Sequence, residues 1–65
     1  MTLPEYNNDA IIEAIVVRIH KIRDRRIMYD RLVHGLTYEQ LAEAHDMSVS
    51  QIKRIVKKHL RVIFD

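Results

Sequence analysis

The most informative segment of this 65-residue chain is Leu36-Thr37-Tyr38-Glu39-Gln40-Leu41-Ala42-Glu43-Ala44-His45-Asp46-Met47-Ser48-Val49-Ser50-Gln51-Ile52-Lys53-Arg54-Ile55-Val56-Lys57-Lys58. It contains two helix-start patterns, Thr37-x-x-Gln40 and Ser48-x-x-Gln51. In each pattern, a capping box, the hydroxyl and the Gln side chain satisfy backbone N–H groups that the first helical turn leaves without partners. The segment therefore predicts two helices joined by a tight turn, over residues 38–45 and 48–63.

The second of these helices has an apolar face and a basic face. At 100° per residue, the apolar residues from Ile52 to Ile63 fall on one side. The opposite side is formed by Ser50, Arg54, Lys57 and Arg61, with Lys53 and Lys58 flanking them. Residues 48–65 hold five basic side chains and one acidic side chain, whereas residues 1–47 hold six basic and eight acidic ones. This concentration of positive charge predicts contact with nucleic-acid phosphates. The alternative is a basic face that meets only solvent.

Two such helices at this spacing indicate a helix-turn-helix, whose second helix enters the major groove of DNA. Residues near the start of that helix reach base edges, and later or flanking residues meet phosphates. The predicted base-reading residues are Ser50, Gln51 and Arg54. The Arg54 guanidinium can pair with both O6 and N7 of guanine. Gln51 has an alternative role, because a capping-box Gln folds back on Ser48.

The second set of predicted DNA contacts is to phosphates. Its members are Thr37, Tyr38, Lys53, Lys57, Lys58 and Arg61. The first two lie where the preceding helix begins, and backbone N–H groups at a helix start can bind phosphate. For Thr37, capping alone is the alternative.

Upstream of the helix-turn-helix, Ile12, Ile15, Ile19 and Ile22 recur at helical spacing. The pattern is interrupted after residue 22 and resumes with a shifted phase at Ile27, so we predict a break within residues 23–26. An N-terminal apolar helix over residues 8–23 would then precede a helix-turn-helix unit over residues 25–63. Within that unit, the single glycine, Gly35, is placed to end a helix in the left-handed conformation. The prediction is one all-α domain of three to four helices over residues 1–65.

The N-terminal helix has more apolar residues than one side of a small domain needs, which favours a homodimer. The predicted dimerisation residues are Ile11, Ile12, Ile15, Val16, Ile19 and Ile22. A two-fold dimer would place two recognition helices about one DNA turn, roughly 34 Å, apart. The alternative is that this helix is central to the core of a monomer.

Composition excludes several other classes of protein. The chain has no Cys, which excludes disulfides and Cys-based zinc sites. Its four histidines fall on separate predicted elements, and His59 lies on an apolar face, where a hydrogen-bonded core histidine is expected. We therefore expect no metal, no cofactor, no catalytic residue and no small-molecule substrate. Residues 10–19 are too short a stretch to cross a membrane, and we expect a cytoplasmic protein.

The segments Gly35-Leu36-Thr37-Tyr38-Glu39-Gln40-Leu41-Ala42 and Met47-Ser48-Val49-Ser50-Gln51-Ile52-Lys53-Arg54-Ile55 resemble the bacterial helix-turn-helix of sigma-factor region 4. They are also similar to the Mor-type activators of transposable phages, which pair such a motif with an N-terminal dimerisation segment. The resemblance covers about residues 26–59. One departure is Asp46, which stands where such motifs usually have Gly. Asp tolerates the left-handed conformation better than most residues do.

The resemblance implies sequence-specific double-stranded DNA binding in bacterial or phage transcription control, with RNA polymerase as a candidate partner. The residues leave two alternatives open. One is a helix-turn-helix-derived module that binds RNA polymerase, a sigma factor or a nuclease. The other is the DNA-binding part of a recombinase or transposase.

Overall fold

The computed structural model describes residues 8–64, which form four helices and no strand. They are α1 (Asn8–Arg18), α2 (Ile22–Leu32), α3 (Tyr38–Ala44) and α4 (Val49–Phe64). The predicted all-α class and the helix-turn-helix, formed by α3 and α4, are confirmed. The single-domain prediction also included residues 1–7 and residue 65, which lie outside the described residues.

The turn between α2 and α3 is made by Gly35, as expected. Its φ is +70°, in the left-handed region that glycine adopts without steric cost. The backbone N–H of Leu36 donates to the carbonyl of Asp30 at 3.2 Å, so a carbonyl of the last turn of α2 has a partner. Gly35 thus ends α2 two residues before the cap of α3.

The break between the first two helices occurs earlier than predicted. The predicted break within residues 23–26 and the predicted helix over 8–23 are wrong, because α1 ends at Arg18 and α2 begins at Ile22. The Arg25 side chain explains the position of the break. Its guanidinium donates to the carbonyl of Val16 at 2.9 Å and to the carbonyl of Ile19. An arginine from the next helix therefore satisfies one carbonyl in the last turn of α1, that of Val16, and one just beyond the helix, that of Ile19.

All four helices contribute to one hydrophobic core. The buried apolar residues are Ile11, Ile15, Ile19, Ile27, Met28, Leu41, Ile52, Val56 and Ile63. α4 packs against each of the other three helices. Its orientation is therefore fixed by the whole domain rather than by α3 alone.

The first helix is part of this core, which corrects part of the predicted dimer interface. Ile11, Ile15 and Ile19 are at most 9% exposed within the single chain. Burial against α2 and α4 thus explains these three side chains without a second copy. Ile12 is partly buried, whereas Val16 and Ile22 are more than half exposed.

Ile19→Ala and Val17→Ala test this assignment of inner and outer faces. Because Ile19 is 1% exposed, its truncation leaves a cavity and should lower the free energy of unfolding by about 2–4 kcal/mol. Val17 is 65% exposed, so its truncation should change that free energy by less than about 0.5 kcal/mol. Urea unfolding at low micromolar concentration, followed by circular dichroism, measures both. Equal losses for the two variants would contradict the assignment.

Candidate nucleic-acid interface

Both helices of the helix-turn-helix begin with the predicted capping boxes. At α3, Thr37 Oγ1 accepts from the Gln40 N–H at 3.1 Å and the Thr37 N–H donates to Gln40 Oε1 at 2.9 Å. At α4, Ser48 Oγ accepts from the Gln51 N–H at 3.1 Å and the Ser48 N–H donates to Gln51 Oε1 at 3.0 Å. These reciprocal bonds fix where each helix starts.

The turn between α3 and α4 passes through Asp46 in the left-handed conformation. Its φ is +55°, and it is the one non-glycine residue with positive φ among residues 8–64. The next N–H, from Met47, donates to the carbonyl of Ala42 at 2.9 Å and closes the turn. Asp46 therefore adopts the conformation that glycine usually provides in such turns, and it does so with the hydrogen bond intact.

The outer face of α4 carries uncompensated positive charge. Ser50, Lys53, Arg54, Lys57, Lys58 and Arg61 are all exposed, as the helical period predicted. Within residues 8–64, none of these five basic groups lies within 4 Å of a carboxylate; the ion pairs there involve Arg23, His45 and His59 instead. Charges that are not neutralised inside the chain remain available to an anionic partner.

The Gln51 side chain caps α4 and is not free to contact a base. Its Oε1 is held by the Ser48 N–H and approached by Ser48 Oγ at 3.2 Å. Bidentate recognition of adenine uses both the oxygen and the nitrogen of the amide. The predicted base-reading set is therefore reduced, in this conformation, to Ser50 and Arg54.

Tyr38 connects the basic face of α4 to α2, which the sequence did not predict. The Lys53 Nζ lies 5.9 Å from the centroid of the Tyr38 ring, and the Arg31 Cζ lies 4.6 Å from it. Arg31 also donates from Nη1 to the carbonyl of Leu36 at 2.7 Å. Arg31 was missed because no spacing in the sequence relates the last turn of α2 to the start of α3. The positive surface thus extends from α4 across Tyr38 to the end of α2.

A buried pair of polar side chains joins α2 to α4 beneath this surface. His59 Nε2 lies 2.8 Å from Asp24 Oδ2, and these residues are 7% and 5% exposed. The predicted core histidine is thereby confirmed, and its partner is identified. His59 Nδ1 is buried without a hydrogen-bond partner among the described residues. The tautomer with its proton on Nε2 therefore fits best. It places a lone pair at the buried Nδ1, where the other tautomer would place an N–H donor without a partner.

The pKa of Asp24 reflects opposing effects. Burial by itself raises the pKa of this carboxyl, but the hydrogen bonds from His59 and Arg23 favour the carboxylate and bring the pKa below its ordinary value. An ionised Asp24 only accepts hydrogen bonds, which agrees with a proton on His59 Nε2. The pair therefore fixes the register of α4 on α2, and with it the direction in which the basic face points.

Neither a metal site nor a membrane-spanning helix is found in the described part of the chain. No group of three His, Asp or Glu side chains in residues 8–64 is close enough to hold a metal ion. Over the same residues, no helix combines the length and the apolar character that crossing a membrane requires.

A family model described as Sigma-70, region 4, matches residues 22–64, about two thirds of the chain. Region 4 is a helix-turn-helix DNA-binding region. The match covers α2, α3 and α4 and leaves α1 outside. Comparisons with curated proteins and with solved structures gave no match. The similarity to Mor-type activators stays a prediction.

Asp24→Asn tests the buried pair, with Asp46→Asn as a control of the same chemical change at an exposed site. Asp24→Asn should lower the free energy of unfolding at pH 7 by roughly 1–3 kcal/mol, because it removes a buried carboxylate that accepts two hydrogen bonds. Since the pKa of Asp24 is lower in the folded chain, its ionisation stabilises the fold above about pH 4 and ceases to do so as the pH falls further. The difference from wild type should therefore shrink at about pH 3 in urea unfolding. A difference that stays constant with pH would contradict the pair.

Proposed function

The chain belongs to the sigma-70 region 4 family, and we propose that it is a small sequence-specific regulator of transcription that binds double-stranded DNA through α4. The family supports DNA binding in transcription as the general activity. More specifically, we propose that it acts in the cytoplasm of a bacterium, in bacterial regulation or during phage infection. It would act by occupying an operator or by contacting RNA polymerase.

The observation that carries this proposal is the separation of the two faces of α4. One face buries Ile52, Val56 and Ile63, and the other exposes five cations that no described carboxylate neutralises. A helix with its side chains is about 10–12 Å across, which fits a major groove about 12 Å wide. The start of α4 is held by a capping box, so its first exposed turns are presented in a fixed orientation.

The position of each residue on α4 supports a division of roles. We assign base contacts to Ser50 and Arg54, which lie in the first turns of α4. We assign phosphate contacts to Lys53, Lys57, Lys58 and Arg61, which lie later in the helix or on its flanks. Thr37 uses both its hydroxyl and its N–H in capping, so we keep it as a cap.

We also propose that the chain acts as a homodimer through the outer side of α1. Val16 and Val17 of α1 are 51% and 65% exposed, and Ile22, the first residue of α2, is 66% exposed, although α1 already buries its inner side. Apolar side chains on both the inner and the outer side of a helix favour its burial on more than one side. Two copies related by a two-fold axis would present two α4 helices to one face of the DNA.

Arg54→Ala and Lys57→Ala test the proposed function on a duplex that the wild-type chain binds. Arg54→Ala should cost about 1–3 kcal/mol of binding free energy and relax the preference at one base pair. Lys57→Ala should weaken binding to all duplexes alike and reduce the magnitude of the salt slope by about 2, because each protomer of the dimer loses one phosphate contact. Fluorescence anisotropy titrations at several salt concentrations measure both effects.

The salt slope of the wild-type chain is the internal control in this experiment. A dimer with about 8 phosphate contacts should give a slope of log K against log salt near −7. A slope near zero would exclude phosphate-dominated binding. Identical behaviour of the two variants on every duplex would contradict the division between base and phosphate contacts.

Val17→Glu and Val17→Lys test the dimer. Either charge on an exposed apolar side chain should leave the monomer folded but disrupt an interface that buries it. Sedimentation velocity at tens of micromolar protein should show a dimer for the wild type and a monomer for both variants. This protein concentration is on the order of the Kd of a weak specific complex. Glu39→Gln, an exposed change on α3, should leave the dimer intact. A wild-type monomer at these concentrations would refute the dimer.

A further inference from the structure

Two cations, from Arg31 and Lys53, lie over the Tyr38 ring. Arg31 Cζ and Lys53 Nζ lie 4.6 Å and 5.9 Å from its centroid. Both distances are within the roughly 6 Å over which a cation is attracted to the negative face of an aromatic ring. Among residues 8–64, no carboxylate pairs with either cation. The ring is therefore the group that draws these two like charges together.

Of the two cations, Arg31 is the more buried and Lys53 is the more exposed. Arg31 is partly buried and is fixed a second time by its hydrogen bond to the Leu36 carbonyl. Lys53 is exposed and has the ring as its contact on the described part of the chain. Arg31 and the Leu36 carbonyl thus support the ring, and the ring in turn holds Lys53.

A lysine held in this way differs from the other lysines on α4. A free Lys side chain loses up to about 2 kcal/mol of rotamer entropy when it is fixed on a partner. Contact with the ring restricts Lys53 before any partner arrives, so less entropy is lost on binding. The positive potential that two close cations create also favours an anion at that point.

We propose that Tyr38 is a positioning residue that holds Lys53 against the α2–α3 edge for contact with a DNA phosphate. The inference rests on the proposed DNA-binding function and changes the role predicted for Tyr38 from direct phosphate contact to support of Lys53. Lys57 and Lys58 lie farther along α4 and have no such ring beside them among the described residues. Lys53 is then the anchoring phosphate contact, and it sets the register of α4 in the groove.

Tyr38→Phe and Tyr38→Leu separate support by the ring from contact by the hydroxyl. The Phe variant keeps the ring and should bind DNA as the wild type does. The Leu variant should bind about threefold to tenfold more weakly, as loss of a cation–ring contact implies. Its salt slope should be smaller in magnitude by about 2, one phosphate contact for each protomer of the dimer. Lys53→Gln should cost a similar factor, and adding Tyr38→Leu to it should cost little more. Thermal unfolding of each variant shows that the fold is retained.

A measurement without DNA checks the contact itself. The side-chain protons of Lys53 next to the ring should be shifted upfield in NMR spectra of the wild-type and Tyr38→Phe chains, and should return to ordinary values in Tyr38→Leu. Unshifted Lys53 protons in the wild type would overturn the inference. Weak DNA binding by Tyr38→Phe, or unchanged binding by Tyr38→Leu, would overturn it while leaving the proposed function standing. A wild-type chain that binds no DNA would instead refute the proposed function, and this inference with it.

Discussion

The two-sided character of α4 determines how the other three helices pack. One helix has to bury an apolar stripe against α1, α2 and α3 and keep its opposite face basic and exposed. In a chain of 65 residues, little other surface is available for a core. Every rotation of α4 about its axis would therefore expose apolar side chains and bury cations at the same time, so stability and the proposed DNA contact require the same orientation.

Polar contacts refine the orientation that apolar burial sets. Burial of Ile52 and Val56 stabilises the packing of α4 against the other helices. It does little to fix their relative orientation, because the hydrophobic effect is non-directional. The Asp24–His59 hydrogen bond adds direction, since it requires two particular atoms to meet within the core. The Arg18 side chain acts similarly at the far end, where it donates to the Val62 carbonyl at 2.8 Å. The two contacts hold α4 to α2 and to α1.

The elements that the sequence predicted well are those with local causes. Both capping boxes, the left-handed Gly35 and the left-handed Asp46 depend on residues within a few positions of one another. The break after α1 was misplaced because its cause is a tertiary contact, in which Arg25 reaches back to carbonyls of residues 16 and 19. For the same reason, the helical period of α1 could not separate Ile11, Ile15 and Ile19, which serve the core, from the outer side chains.

The candidate site follows the same division. The exposed row of α4 was predictable, because helical geometry alone places Ser50, Arg54, Lys57 and Arg61 opposite Ile52. The extension through Tyr38 to Arg31 was not, because it depends on how α2 and α4 meet α3. Gln51 lies between the two cases, since its sequence position permits both a cap and a base contact. The hydrogen bonds to Ser48 decide for the cap in the free chain.

Selection of bound duplexes from a pool of random DNA shows directly whether α4 reads DNA sequence. The pool is equilibrated with the chain, bound duplexes are recovered over several rounds, and the enriched sequences are aligned. If α4 reads DNA, a short consensus should be enriched, arranged as an inverted repeat with half-sites about 10 base pairs apart if the chain is a two-fold dimer. A pool that stays random after selection would contradict sequence reading by α4 and would favour a protein partner for the basic face.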